Sequence, residues 1–300
     1  MCRRTPRASE MVARFEKPLW WAEPDGWDRK NNYQMLPLGR PRAMSVITDD
    51  ADWVLIVRPR SALKLTDVIP ALTSLGMHDT AEVFQLPRKT TVQFALLSDV
   101  SGRFSLTLQR ANGSRADASW LRINCKIVRP VRYKPFILVD LLGRKIDHDK
   151  QTLLKETQWA NQRLFGEANV QAWAQADLVE LKVDKDYPEV PIGTADNGPK
   201  EFAFWNQTLP PAAVDYYLIF VWRIRYDKTH DDPIGICWGK KYIFIEPSDE
   251  YPMSQVILHE IGHALGLGHN PDSGSVMEPY AKKDIKAFRE PEIDFLNNSA

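Results

Sequence analysis

The chain has 300 residues, 44% hydrophobic and 26% charged, which excludes a disordered polymer and allows two cores of ordinary domain size. Thirty-nine Lys and Arg balance thirty-nine Asp and Glu, so no whole-chain field draws it to nucleic acid or an anionic membrane, although a local basic patch stays open. No run approaches the roughly 18 apolar residues of a membrane span, and MCRRTPRASEMVARFEKPLWW carries charge without an apolar core; a cytoplasmic protein or one exported by a non-classical route is expected.

Residues 1–44 are rich in Trp, Pro and Arg without periodicity and predict an irregular arm packed by its aromatics, Trp20, Trp21 and Trp27 among them. From 45 to 130 short apolar runs (DWVLIV, AEVFQL, TTVQFALL, RFSLTLQR, SWLRINCKIV) alternate with turn residues and predict an all-β sandwich domain, with an immunoglobulin-like arrangement as one form. Phe104, Leu106 and Leu108 should share one face, and one helical piece is expected around Thr66 to Leu75. After Pro130 the pattern becomes mixed α/β: a strand in KPFILVDLLG, a helix from about Asp149 to Phe165 with Leu153, Ala160 and Leu164 on one face, then strands at 169–183, 214–226, IGICW and KYIFIE. The third segment is therefore 131–300.

Cys2, Cys125 and Cys237 are too few and too far apart for a disulfide framework or a thiolate zinc site. The chemistry concentrates in HEIGHALGLGHNPDSGSVMEPY, residues 259–280. His259 and His263, four apart on a helix, project from one face and can grip one ion, while Ile257, Ile261, Ala264 and Leu265 form an opposite, buried stripe. Glu260 lies about 100° round the helix from His259, too far to chelate with it but placed to act on water at the metal. Gly266 and Gly268 break the helix and let the chain return with His269 as a third ligand, leaving a fourth position open, which distinguishes a catalytic zinc from a closed structural one.

This segment resembles the metzincin zinc metallopeptidases, whose signature is matched from His259 to His269 with Met277 as the Met-turn; within that clan it is most similar to the matrixins, which also carry a Pro two places after the methionine, here Pro279. The resemblance implies a twisted mixed sheet followed by an active-site helix, one Zn2+ per chain on His259, His263 and His269, Glu260 as general base and acid, Met277 as a floor, and a protein or peptide substrate. Matrixins place a Tyr of the S1′ wall four positions after the methionine, whereas Tyr280 stands three after it. In such folds an extended peptide adds to a sheet edge, here IGICW with Ile236 and Trp238, because KYIFIE should be interior. No latency motif surrounds Cys2. His230, with Asp231 and Asp232, is assigned to a solvated loop in preference to a second cation site, His148 to a polar helix start, and Trp205, Trp222 and Trp238 to the core. A zinc-dependent endopeptidase is expected, with delivery as a bacterial toxin or effector drawn from architectural analogy; the alternative is an inert zinc-binding module that uses its β domain to bind protein. Substrate preference and oligomeric state are not encoded legibly.

Overall fold

The architecture comes from a computed structural model, which describes residues 13–16, 27–28, 31–112, 119–191, 198–225, 233–272, 274–279 and 286–298. Two units, Met1–Val128 and Arg129–Ala300, divide the chain.

In the first unit, period-2 alternation dictates the structure. Its strands are β1 (Arg14–Glu16), β2 (Trp27–Asp28), β3 (Tyr33–Pro37), β4 (Arg42–Ile47), β5 (Trp53–Arg58), β6 (Leu63–Ile69), β7 (Thr73–His78), β8 (Ala81–Leu86), β9 (Thr91–Ser98), β10 (Gly102–Arg110) and β11 (Ser119–Lys126). They form a four-stranded sheet, β1-β4-β9-β6, and a seven-stranded one, β2-β3-β11-β10-β5-β8-β7. Phe104, Leu106 and Leu108 are buried together, and with Leu55, Ile123, Val46 and Phe94 they belong to one core fed by both sheets. Two expectations are corrected here. The segment Thr66 to Leu75 is not helical; it contributes to β6 and β7, because Pro70 would interrupt a helix and β-branched Thr66, Val68 and Ile69 favour extended backbone. Nor are residues 1–44 irregular where they are described: Tyr33–Pro37 pairs in parallel with β11 and is buried throughout. Trp20 and Trp21 lie outside the described residues.

The second unit contains β12 (Arg129–Val139), α1 (Lys150–Ala168), β13 (Val170–Ala174), β14 (Val179–Lys182), β15 (Val190–Pro191), α2 (Gly198–Thr208), β16 (Tyr216–Phe220), β17 (Ile224–Arg225), β18 (Gly235–Trp238), β19 (Tyr242–Ile245), α3 (Met253–Ala264) and α4 (Glu290–Asn298). The main sheet runs β13-β12-β16-β19-β18, with β14 also on β12; only β18 is antiparallel to its neighbour. Interior β16 and β19 are apolar runs buried at every position, as parallel strands covered on both faces must be. Helix α1 starts where Asp149 accepts the Thr152 N–H at 2.9 Å and stops at Asn169, whose left-handed φ of 57° lets its N–H reach back to the last carbonyls. Trp205 of α2, with Leu209, Phe244 and Phe136, fills the core on one side of the sheet, where Trp222 and Trp238 also pack. Among the described residues no helix is long and apolar enough to cross a membrane.

Candidate metal centre

Helix α3 buries Ile257, Leu258 and Ile261 fully and leaves His259 and His263 only partly covered on another face. No side chain of its own caps its N-terminus; Glu156 of α1 accepts the Ser254 N–H at 3.1 Å instead. The helix ends as the glycine pattern requires. Gly266 adopts a φ of +102°, and a Cβ there would stand 3.3 Å from the Phe295 ring, so both backbone and space favour glycine. The chain then turns back to present His269.

The three imidazoles converge, with one nitrogen from each lying within 4.8 Å of the other two. Ring centroids are 4.7 Å apart for His259 and His263, 4.7 Å for His263 and His269, and 5.4 Å for His259 and His269. His259 Nδ1 lies 2.7 Å from the Val276 carbonyl and His263 Nδ1 lies 2.8 Å from that of Leu267. A carbonyl only accepts, so each Nδ1 bears the hydrogen and each neutral ring turns a lone pair on Nε2 inward. Burial, the largest influence, holds His259 down to about 4 and lowers His263 as well, which keeps both rings neutral near pH 7. The two Nε2 atoms are only 3.1 Å apart. Two lone pairs facing each other at that distance, with no proton between them, fit a shared cation, and an all-nitrogen donor set suits zinc.

Glu260 occupies the helix position beside these ligands and is 5% exposed. Burial pushes its carboxyl up to about 8, opposed by a hydrogen bond donated from the Cys237 N–H. Strand β18 therefore lies over this part of the helix: a Cβ on Gly235 would fall 2.6 Å from Val256 Cγ1 and 3.0 Å from Glu260 Oε1. Cys237 itself is partly buried, its thiol pushed up to about 12 by burial first and by the charge of Glu260 second.

Met277 is fully buried against α3, where a Cβ on Gly262 would collide with its sulfur. The Met277 carbonyl accepts the Asn270 N–H at 2.7 Å, closing the loop that begins just after His269. One residue invisible to motif reasoning organises this loop. Buried Glu292 of α4 accepts from Asn270 Nδ2 at 2.7 Å, Ser275 Oγ at 2.5 Å and the Arg289 N–H at 2.6 Å. Ser275 Oγ in turn accepts the Met277 N–H at 2.9 Å. Glu292→Ala would strand two side-chain donors and a backbone donor in the interior, and is expected to destabilise the fold by about 2–4 kcal/mol. Thermal melts of the variant against wild type check this, and an unchanged melt would contradict the assignment.

A family model described as Matrixin matches residues 146–296. The chain belongs to the matrixin family. A stretch of 48 residues is also 44% identical to Matrix metalloproteinase-18 of Xenopus laevis, covering 16% of this chain and 10% of the frog protein, so the match spans about a tenth of that relative's length.

In this matrixin the structure brings His259, His263 and His269 together; Glu260 follows His259 on α3, Met277 packs against Gly262 of that helix, Gly266 makes the turn after it, and Pro279 is exposed two residues beyond the methionine. Tyr280, His230, Asp231, Asp232 and Cys2 lie outside the described residues. Strand β18 is the sheet edge and β19 is interior. Its side chains need a correction: Gly235 faces α3, so alternation turns Ile236 and Trp238 to the opposite face, where they pack on the core around Trp205. Only their backbone lies along the edge. Among the described residues, the three histidines are the one cluster of potential ligands able to hold a metal.

Proposed function

We propose that this matrixin is a zinc-dependent endopeptidase with one zinc per chain on His259, His263 and His269. The observation that carries this reading is the meeting of three imidazole nitrogens with a buried, non-chelating carboxylate beneath a sheet edge. When bound, zinc would supply Lewis-acid activation of water and of the scissile carbonyl. The protein's own residues do the rest. An extended peptide would add along the outer edge of β18, whose Cys237 N–H ties the strand to Glu260. In its ionised form, which a nearby zinc charge would favour against the burial that otherwise raises its pKa to about 8, Glu260 would accept the proton of the attacking water on a carboxylate oxygen and return it to the leaving amine. The Val276 and Leu267 carbonyls hold the two helical imidazoles in the tautomer whose Nε2 faces inward. In the same reading, the second unit carries the chemistry and the two sheets of the first unit form a sandwich module with a separate role.

Protein purified without added zinc is expected to contain one zinc per chain and to cut an unfolded protein into fragments in a chelator-sensitive way. Finding none or two zinc ions per chain, or an uncut substrate with the zinc in place, would overturn the proposal.

A further inference from the structure

The two units differ in charge although the whole chain is neutral: residues 1–128 hold nineteen Lys and Arg against thirteen Asp and Glu, and residues 129–300 hold twenty against twenty-six. Part of the positive excess is gathered on one surface. In the seven-stranded sheet the core takes Leu55 and Val57 of β5, Phe104, Leu106 and Leu108 of β10, and Leu121 and Ile123 of β11. Alternation sends the intervening residues to the other face. There Ser105 stands opposite Arg58 on one side and Arg122 on the other, and Thr107 stands opposite Trp120. Arg103 follows two residues along β10 from Ser105. Neighbouring strands are about 4.8 Å apart and alternate residues about 6.8 Å apart, so three guanidiniums stand within roughly 10 Å of one another at their Cα atoms. All three are exposed, and Arg122 donates to the Asn31 carbonyl at 3.0 Å. Trp120 is 62% exposed, an uncommon position for an indole. Outward positions between residues 54–58, 103–109 and 120–124 on these strands hold no Asp or Glu; an acid on this face is Asp28 of β2, buried and in register with Arg122 through Tyr33, so Arg58 and Arg103 carry most of the outward charge.

We propose that this face of the first unit binds a sulfated polysaccharide, with Arg58, Arg103 and Arg122 engaging sulfate groups and the Trp120 indole stacking on a sugar ring. Guanidinium forks match the oxygens of tetrahedral anions, and several weak contacts along a repeating polymer combine through effective concentration. A single-stranded nucleic acid fits less well, because such strands are held by successive aromatic platforms and this face has one. The acidic second unit gives the polymer no competing attraction, so the first unit would anchor the chain to a polyanionic matrix independently of any cleavage.

The full chain on immobilised heparin tests the idea, since a neutral chain needs a local patch to be retained. Wild type is expected to bind, with affinity falling as salt rises; Arg58→Gln/Arg103→Gln should weaken binding about tenfold or more and make the salt dependence shallower by roughly two ion contacts. Trp120→Ala should weaken binding without changing the salt slope. Lys64→Gln/Lys89→Gln, which removes equal charge from positions paired with Asp99 and Asp50, should bind as wild type does. Thermal melts report whether each variant is folded, and Trp120→Ala stands as an independent arm should the double variant unfold. Failure of wild type to bind, an equal loss in the Lys64/Lys89 control, or tighter binding to a single-stranded oligonucleotide would each overturn the proposal.

Discussion

Glu260→Gln is expected to retain zinc and melt at the wild-type temperature, yet to cleave peptides about 100-fold to 10,000-fold more slowly, the usual contribution of a general base. The separation follows from geometry. Glu260 is not among the three converging ligands, so the metal keeps its donors. Its side chain is packed beneath β18, where an amide of the same shape still accepts the Cys237 N–H through its oxygen. What the amide lacks is a basic oxygen to receive a proton. Zinc content, melting temperature and initial cleavage rate, measured on one preparation of each protein, decide the matter. A variant as fast as wild type would remove Glu260 from the chemistry.

His263→Ala should have the second large effect, and on a different quantity. His263 is the middle histidine of the cluster, with Nε2 3.1 Å from that of His259 and its ring close to His269. Removing it leaves two donors and also strips the Leu267 carbonyl of its partner at 2.8 Å. Zinc affinity should fall well beyond the ~10–100-fold typical of losing a supporting hydrogen bond, and cleavage should disappear with the metal. Titration against a competing chelator reads the affinity directly. Affinity within a few-fold of wild type would mean that the three rings do not act as one site.

The parts of the site legible in the sequence are those fixed by local geometry. Spacing of four on a helix places His259 and His263 on one face whatever surrounds them, and Gly266 marks the turn because few other residues take its φ. The apolar runs of β16 and β19 likewise announce buried parallel strands. What was not legible depends on partners distant in sequence. Glu292 lies 22 residues from Asn270 and belongs to no motif, and only the fold shows that it ties the loop after His269 to the segment just before Met277. Helix α2 is short, and its apolar residues bunch at Phe202, Ala203, Phe204 and Trp205 instead of recurring over several turns, so the sequence shows little helical period there; Pro199 near its start is the available signal. Ile236 and Trp238 belong to the edge strand expected to take a peptide, but the sequence does not show which way the strand faces; the closeness of Gly235 to α3 turns both side chains onto the core, where Trp238 is also expected. Delivery as a bacterial effector gains nothing from the comparisons, whose named relative is a frog protein.

The most direct test of the account is mass spectrometry of a diverse peptide library incubated at neutral pH with zinc-loaded wild type and zinc-loaded Glu260→Gln. The account predicts new termini inside the peptides for wild type, loss of those products on chelation and their return with zinc, and little or no product from the variant. A folded, zinc-loaded wild type that leaves every peptide intact, or a variant that yields the same products at the same rate, would contradict it.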